Sequence, residues 1–156
     1  MTSIVYLQPL SEDEKKLIVL APALVTLLIG GVDDDLSQRE ETMAKKVVHF
    51  RTVTGDPILF DYFKLVDIDF IPNLEALEKK YHDLQPDVRT KILVEELGKL
   101  NGILPKIDNL FARALLKSWR SLAKEVAETT GGFLGMLRTT YEEEHLIGLG
   151  MITVNP

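Results

Sequence analysis

Apolar residues recur at helical spacing along most of the chain, and this pattern predicts an all-α fold. Residues 17–31 are apolar on almost every side, which is typical of a helix in the middle of a bundle. Ser11 and Glu14 precede this stretch as a capping box, in which each side chain satisfies a free amide of the first turn. Gly30 and Gly31 are predicted to end the helix, since glycine is common just beyond a helix C-terminus.

Further helices are predicted near residues 36–50, 72–82, 86–100 and 105–129, with a short last helix after residue 140. The apolar stripe of the helix at 36–50 consists of Leu36, Met43, Val47 and Phe50. The longest helix should bury Phe111, Leu115, Trp119, Leu122 and Val126. Residues 58–70 are compatible with a helix, yet Val66 to Phe70 alternates as a strand does, so both alternatives stay open there. The pattern as a whole predicts one domain over residues 1–156, a bundle of about six to seven helices.

A shift of 68 residues aligns two helix–loop–helix units, approximately 17–51 and 85–119. Apolar positions coincide in both helices of the two units, and in the loops Asp33 falls on Asn101 while Glu40 falls on Asp108. Any two amphipathic helices share the same period, but a match of two helices and their loop at one offset indicates a duplication. Such hairpins bury, when paired, the face that neither covers alone. At the C-terminal end of the sequence, residues 130–156 are predicted to form a cap on the bundle.

Composition is that of an ordinary folded domain, because 46% of the 156 residues are hydrophobic and 27% are charged. Cysteine is absent, which excludes disulfides, thiol catalysis and cysteine-based zinc sites. The net charge of −6 provides no overall attraction to nucleic acid or to anionic lipid. The longest apolar stretch has 15 residues, fewer than the ~20 that cross a bilayer, and acidic residues precede Lys15 and Lys16. We therefore expect a cytoplasmic protein without membrane insertion rather than one with a targeting segment.

The most concentrated polar feature is the loop at 33–41, which carries five carboxylates in nine residues. Such a set of oxygen ligands suits a hard divalent cation, calcium or magnesium, and the predicted ligands are Asp33, Asp35 and Glu40. The loop is not an EF-hand, because Gln38 and Ala44 stand where that motif needs Gly and Glu. The same acids also suit the start of a helix, where the dipole favours each negative charge by about 0.3–1 kcal/mol. The two interpretations are compatible, and both stay open.

At this loop the chain resembles the tellurite-resistance TerB family of small helical bacterial proteins. The motif reads Asp33-Asp34-Asp35-Leu36-Ser37-Gln38-Arg39-Glu40, and the resemblance covers residues 17–51 and 86–118. Asp33, Asp35, Ser37 and Glu40 match the family pattern, while Asp34 stands where the family has Gly. The second unit keeps a glycine at Gly102 but lacks the matching acids. The resemblance implies a helical fold, an association with stress and tellurite resistance, and divalent metal binding at the acidic loop.

Other candidate sites are weaker. Basic residues follow one face of the last long helix, namely Lys106, Arg113, Lys117, Arg120 and Lys124. No aromatic residues alternate with them, so a solvated face is a better interpretation than a nucleic-acid site. Glu142 and His145 form a single Glu-x-x-His, whereas a di-iron bundle needs two, and no nucleophile elbow or P-loop is present.

We therefore expect a non-enzymatic TerB-like domain with a weak divalent-cation site in the loop 33–41. The alternative is a metal-free protein–protein interaction module with an unknown partner and pathway, in which the acidic loop only caps a helix. Metal titration discriminates between these two hypotheses.

Overall fold

The computed structural model describes residues 4–31, 36–129 and 145–153, and within these ranges it contains helices and turns but no strand. The α-helices are α1 (Glu12–Gly30), α2 (Gln38–Phe50), α3 (Phe60–Tyr81), α4 (Pro86–Gly98) and α5 (Asn109–Thr129). Short 3-10 helices occupy Val5–Leu7, Pro57–Leu59, Lys99–Gly102 and Leu104–Lys106, and residues 145–147 form one more helical turn. The predicted all-α, single-domain bundle is confirmed. None of the described helices is both long and apolar enough to cross a membrane.

α1 is the central helix of the bundle, as its apolar pattern predicts. Ten of its 19 residues are buried, and it contacts each of the other four α-helices. The capping box at its start is formed, because the Ser11 hydroxyl accepts from the Glu14 amide at 3.2 Å and Glu14 accepts from the Ser11 amide at 2.9 Å. The position of α1 is therefore set by its contacts with all four of the other α-helices.

Two buried hydrogen bonds in series join α3 and α5 to the central helix α1. The Tyr62 hydroxyl on α3 donates to the Ile18 carbonyl of α1 at 2.7 Å, and the Trp119 indole on α5 donates to the same hydroxyl at 3.1 Å. Both aromatic side chains are fully buried. Burial raises the pKa of Tyr62 far above its usual value, although the Trp119 hydrogen bond acts in the opposite direction. Tyr62 therefore stays protonated and keeps its donor role.

The region that the sequence left between helix and strand belongs to α3. Pro57–Leu59 forms a 3-10 turn capped by Asp56, and α3 then runs to Tyr81 with one interruption at Asp69, where φ is −122° and ψ is 21°. Pro72 lies three residues after this interruption, in the first turn of the second half of α3. A proline is tolerated in a first turn, whereas it would disrupt an unbroken helix interior. The stretch at 58–70 is thus helical from Phe60 onward, and it joins the helix predicted at 72–82 in one kinked helix.

The buried face of α2 agrees with the predicted stripe at Leu36, Met43 and Val47 but not at Phe50. Phe50 is 61% exposed, so its assignment to the core was wrong, and the buried residues are Glu40, Ala44, Val47 and Val48. This face packs against α3 and α5, and the small side chain of Ala44 lies at its centre. Sequence reasoning placed Glu40 at the start of this helix as a cap or a cation ligand, and the structure adds that the residue is buried.

The predicted C-terminal cap is described only in part, at residues 145–153. Leu149 and Ile152 are fully buried there, and Asn101 binds the segment through its side-chain amide, which donates to the Met151 carbonyl at 2.7 Å and accepts from the Thr153 amide at 2.8 Å. The rest of 130–156 lies outside the described residues, and so does the start of the last predicted helix. The duplication of 17–51 and 85–119 stays a prediction.

Candidate functional site at the junction of α1 and α2

The sequence-predicted cation site falls at the junction of α1 and α2. Of its three predicted ligands, Asp33 and Asp35 lie outside the described residues, while Glu40 lies in the first turn of α2. The surroundings of the loop are described on both sides, by Gly30 and Gly31 before it and by Leu36 and the residues of α2 after it. We refer to Gly30, Gly31, Leu36, Glu40 and their neighbour Arg89 as the α1–α2 junction.

Glu40 forms a capping box at the start of α2. Its Oε1 accepts from the Ser37 amide at 2.8 Å, and the Ser37 hydroxyl accepts from the Glu40 amide at 3.1 Å. These two bonds satisfy free amides of the first helical turn, as the motif requires. The capping interpretation of Glu40 is therefore realised in the structure, and it accounts for one of the two carboxylate oxygens.

The second oxygen of Glu40 has no such explanation. The residue is only 5% exposed, and Oε2 is the single buried side-chain oxygen or nitrogen without a hydrogen-bond partner in the described part of the chain. A buried acceptor without a donor costs about 1–3 kcal/mol, so native proteins usually provide a partner, an ordered water or an ion. Oε2 is thus the atom at this junction whose hydrogen-bonding capacity a ligand would satisfy.

Gly30 lies directly beside this oxygen. A Cβ atom built on Gly30 would be 3.3 Å from Glu40 Oε2 and 2.2 Å from a methyl carbon of Leu36. Glycine is favoured at position 30 because Leu36 and Glu40 approach its backbone closely. A positive φ is not the reason, since Gly30 has a negative one. Gly31 ends the helix at φ −99° with its amide bonded to the Leu27 carbonyl at 2.9 Å.

Arg89 on α4 is the residue of this junction that sequence reasoning missed. It is 5% exposed, and its guanidinium donates to the Gly31 carbonyl. A positive charge at this point interacts favourably with the C-terminal end of α1, which is the negative end of the helix dipole. The signal was present in the sequence, because Arg89 is four and eight residues before Leu93 and Leu97 and so lies on the apolar row of α4.

A small cavity of about 140 Å³ adjoins the junction, and Leu36, Glu78, His82 and Arg89 contribute to its lining. Oxygen and nitrogen ligands are therefore present nearby. However, no group of three or more His, Asp or Glu residues is placed to hold a metal among residues 4–31, 36–129 and 145–153. A cation at this junction thus depends on Asp33 and Asp35 in addition to Glu40.

A larger cavity lies elsewhere, between the N-terminal segment, α1 and α3. It has a volume of about 560 Å³, within the range of ligand pockets. Its lining is mainly apolar, and Leu7, Val19 and Leu65 contribute to it. Lys16 of α1 and Asp69 of α3 also line it. We call this cavity the α1–α3 groove.

In comparisons with known proteins, the chain matches no protein-family model, no curated protein and no solved structure. The TerB resemblance is therefore a prediction that rests on the loop residues themselves.

Proposed function

We propose that this chain is a non-enzymatic helical domain of TerB type, related to bacterial stress and tellurite resistance, that binds a divalent cation weakly in the loop 33–41. One observation supports the cation: Glu40 Oε2 is buried and has no hydrogen-bond partner among the described residues. A carboxylate oxygen in that condition is a suitable ligand for calcium or magnesium, and Asp33 and Asp35 would complete the ligand set. TerB type itself is inferred from the loop motif.

The weakness of the proposed site follows from Arg89. Its guanidinium is buried at the same junction and bonds the carbonyl of Gly31, directly before the loop. A fixed positive charge there offsets part of the negative charge of the loop and lowers its affinity for a second cation. Calcium is the better candidate, because its coordination is flexible, whereas magnesium demands near-octahedral geometry.

The test is the melting temperature in calcium, in magnesium and in chelator. A ligand at 100 times its Kd stabilises the folded state by about 2.7 kcal/mol, which for a chain of this size raises Tm by roughly 5–10 °C. Asp33→Asn should remove most of this rise. Asp108→Asn is the matched control in the second unit and should retain it, because Asp108 caps α5 by accepting from the Phe111 amide at 3.0 Å and asparagine caps a helix equally well.

Glu40→Gln separates the capping role from the cation role. Glutamine at this position preserves the capping box but loses the charge. We expect Glu40→Gln to melt near the wild-type temperature in chelator and to lose the rise in calcium. Identical melting temperatures of the wild type in all three solutions would contradict the cation proposal.

A second candidate function is supported by the α1–α3 groove, in which a metal-free interaction module would hold an amphipathic helix of a partner protein. The groove offers apolar walls, and Lys16 and Asp69 on its two sides form no ion pair with any described residue. An apolar helix face with an acid opposite Lys16 and a base opposite Asp69 would be complementary to it.

This candidate can be tested with a displayed library of helical peptides. Selected peptides should carry apolar residues at helical spacing and should bind Val19→Glu at least about tenfold more weakly than wild type, because a carboxylate would replace an apolar wall. Val88→Glu is the control, since Val88 is exposed on α4 and does not line the groove. Equal binding to both variants would exclude the groove as the docking surface.

A further inference from the structure

A cavity of about 230 Å³ lies at the other end of α2, between the turn that follows this helix and the middle of α5. Leu59 and Phe63, both buried, form part of its apolar wall. Its polar lining includes Arg51 from the end of α2 and Lys117 and Ser121 from α5. Arg51 follows Glu40 by 11 residues, which corresponds to about 16 Å along a helix, so this cavity is separate from the α1–α2 junction.

Two positive charges line this cavity without a carboxylate partner. Neither Arg51 nor Lys117 forms an ion pair with a residue in the described ranges. Asp56 also lines the cavity, but its carboxylate caps the next turn by accepting from the Ile58 amide at 3.2 Å. The lining thus holds two cations and one carboxylate, and neither cation forms an ion pair, so in a chain with 24 acidic and 18 basic residues this local excess of positive charge indicates a site for an anion.

Arg51 is held by a hydrogen bond to α5 and lies beside the turn at Gly55. Its Nη2 donates to Ser121 Oγ at 2.8 Å, and its Cδ lies 3.5 Å from where a Cβ of Gly55 would be. Gly55 has a φ of +86°, a conformation that favours glycine, so the turn can pass close to the arginine stem. A guanidinium fixed in this way loses little further freedom when it binds an anion.

Several donors in the lining of this cavity remain unused. A guanidinium carries five N–H donors, of which the bond to Ser121 uses one, and the Ser121 hydroxyl accepts that bond while its own proton is available for a ligand. The other two hydroxyls of the lining are occupied, because Ser118 donates to the Leu115 carbonyl at 2.7 Å and Thr54 donates to the Phe50 carbonyl at 2.7 Å.

We propose that Arg51, Lys117 and Ser121 form a binding site for the phosphate group of a small organic phosphate. A guanidinium pairs with two phosphate oxygens in a fork, and the ammonium and the hydroxyl supply donors for the remaining oxygens. The apolar wall at Leu59 and Phe63 would accommodate the carbon part of the ligand. The cavity is below the usual volume of drug-sized pockets, which favours a compact ligand over a nucleotide.

The experiment is calorimetric titration of the full chain with glycerol 3-phosphate, with inorganic phosphate and with glycerol, at constant ionic strength and in the presence of chelator. Chelator keeps the proposed cation site empty, so the result is independent of that proposal. We expect one saturable site for both phosphates and none for glycerol. Arg51→Gln should weaken binding by about tenfold or more, and Lys117→Gln and Ser121→Ala should each weaken it by a smaller factor.

Lys124→Gln is the matched control, because Lys124 is exposed on the same helix and does not line the cavity. Circular dichroism of each variant excludes unfolding as the cause of a loss. The absence of saturable phosphate binding to wild type would overturn the proposal. So would equal losses in Lys124→Gln and Lys117→Gln, which indicate a diffuse basic face. Saturable binding of glycerol with the same affinity as the phosphates would overturn the assignment to phosphate.

Discussion

The loops of the two predicted repeat units are used in different ways. At the α1–α2 junction of the first unit, two charged residues are buried, namely Glu40 in the first turn of α2 and Arg89 on α4. In the second unit, Asn101 takes the position of Asp33 at the offset of 68 and is bound to the C-terminal segment at Met151 and Thr153. A neutral amide can both donate and accept, so it joins two backbone segments, whereas a carboxylate can only accept.

The helix that follows each loop also starts differently. Glu40 closes a capping box as the third residue of α2, whereas its counterpart Asp108 directly precedes α5 and caps it alone. Two 3-10 helices, Lys99–Gly102 and Leu104–Lys106, occupy the second connection. The second connection thus uses a neutral side chain to join two backbone segments, whereas the first places the carboxylate of Glu40 in the interior with one oxygen unpartnered among the described residues.

Arg89→Met should have the largest effect on the first loop. Methionine preserves most of the side-chain volume, so the loss reports the buried guanidinium and its polar interactions, among them the hydrogen bond to the Gly31 carbonyl. We expect the free energy of unfolding to fall by about 2 kcal/mol, which lowers Tm by roughly 4–8 °C. Thermal unfolding measures this, with Lys91→Met on the exposed side of α4 as control. If both variants melt together, Arg89 does not hold the junction.

The glycines at positions 30 and 98 stand at equivalent places in the two units and should respond with opposite sign. Gly30→Ala forces the Leu36 methyl aside and crowds Glu40 Oε2, so we expect a net loss of about 1 kcal/mol. A Cβ on Gly98 meets nothing within 4 Å, and Gly98→Ala should therefore stabilise the fold by about 0.4–1 kcal/mol. Urea unfolding of both variants checks this, and two changes of the same sign would refute the contrast.

Asn101→Asp replaces the amide that binds the C-terminal segment with aspartate, the residue at the corresponding position 33 of the first unit. The carboxylate still accepts from the Thr153 amide but faces the Met151 carbonyl without a proton to donate. We expect a loss of about 0.5–1 kcal/mol because the site is exposed, together with faster hydrogen exchange of the Ile152 amide. Asn109→Asp, at the start of α5, is the control and should leave that exchange rate unchanged.

The smallest effect concerns the ion pair that joins the second loop to the start of α1. Lys106 donates to Glu14 at 2.6 Å, and this bond, together with the Ser11 amide, holds the pKa of Glu14 below its ordinary value. A carboxyl with a lowered folded-state pKa stabilises the fold above its unfolded pKa, and this contribution is lost as the pH falls through the folded value.

Lys106→Met should therefore raise the pKa of Glu14 part of the way to normal, because the Ser11 bond persists. Its urea midpoint should be slightly below that of wild type near neutral pH and equal to it in strong acid. NMR titration of the Glu14 carboxyl measures the shift, with Lys124→Met as an exposed control. An unchanged Glu14 pKa in Lys106→Met would show that the pair has no influence.

Much of the fold was predictable because its determinants are local. The capping box at Ser11, the turn at Gly55 and the buried row of α5 each depend on residues within a few positions of one another. In the same way, the position of Glu40 in the first turn of α2 followed from the acidic loop and the helix after it. The helix at 58–70 was less certain, since Val66 to Phe70 alternates and only the packing of Tyr62 against α1 and α5 selects the helical form.

The sequence by itself determined most of the helices and their approximate ends, because hydrogen bonds between residues three or four apart decide these features. Tertiary structure alone decided which face of α2 is buried, and thereby that Glu40 lies inside with one oxygen unpartnered. It also decided the bond from Arg89 to Gly31, across 58 residues, and the meeting of Arg51 with Ser121, across 70. Such contacts depend on how rigid helices rotate and cross to fill the core, and no local pattern specifies that arrangement.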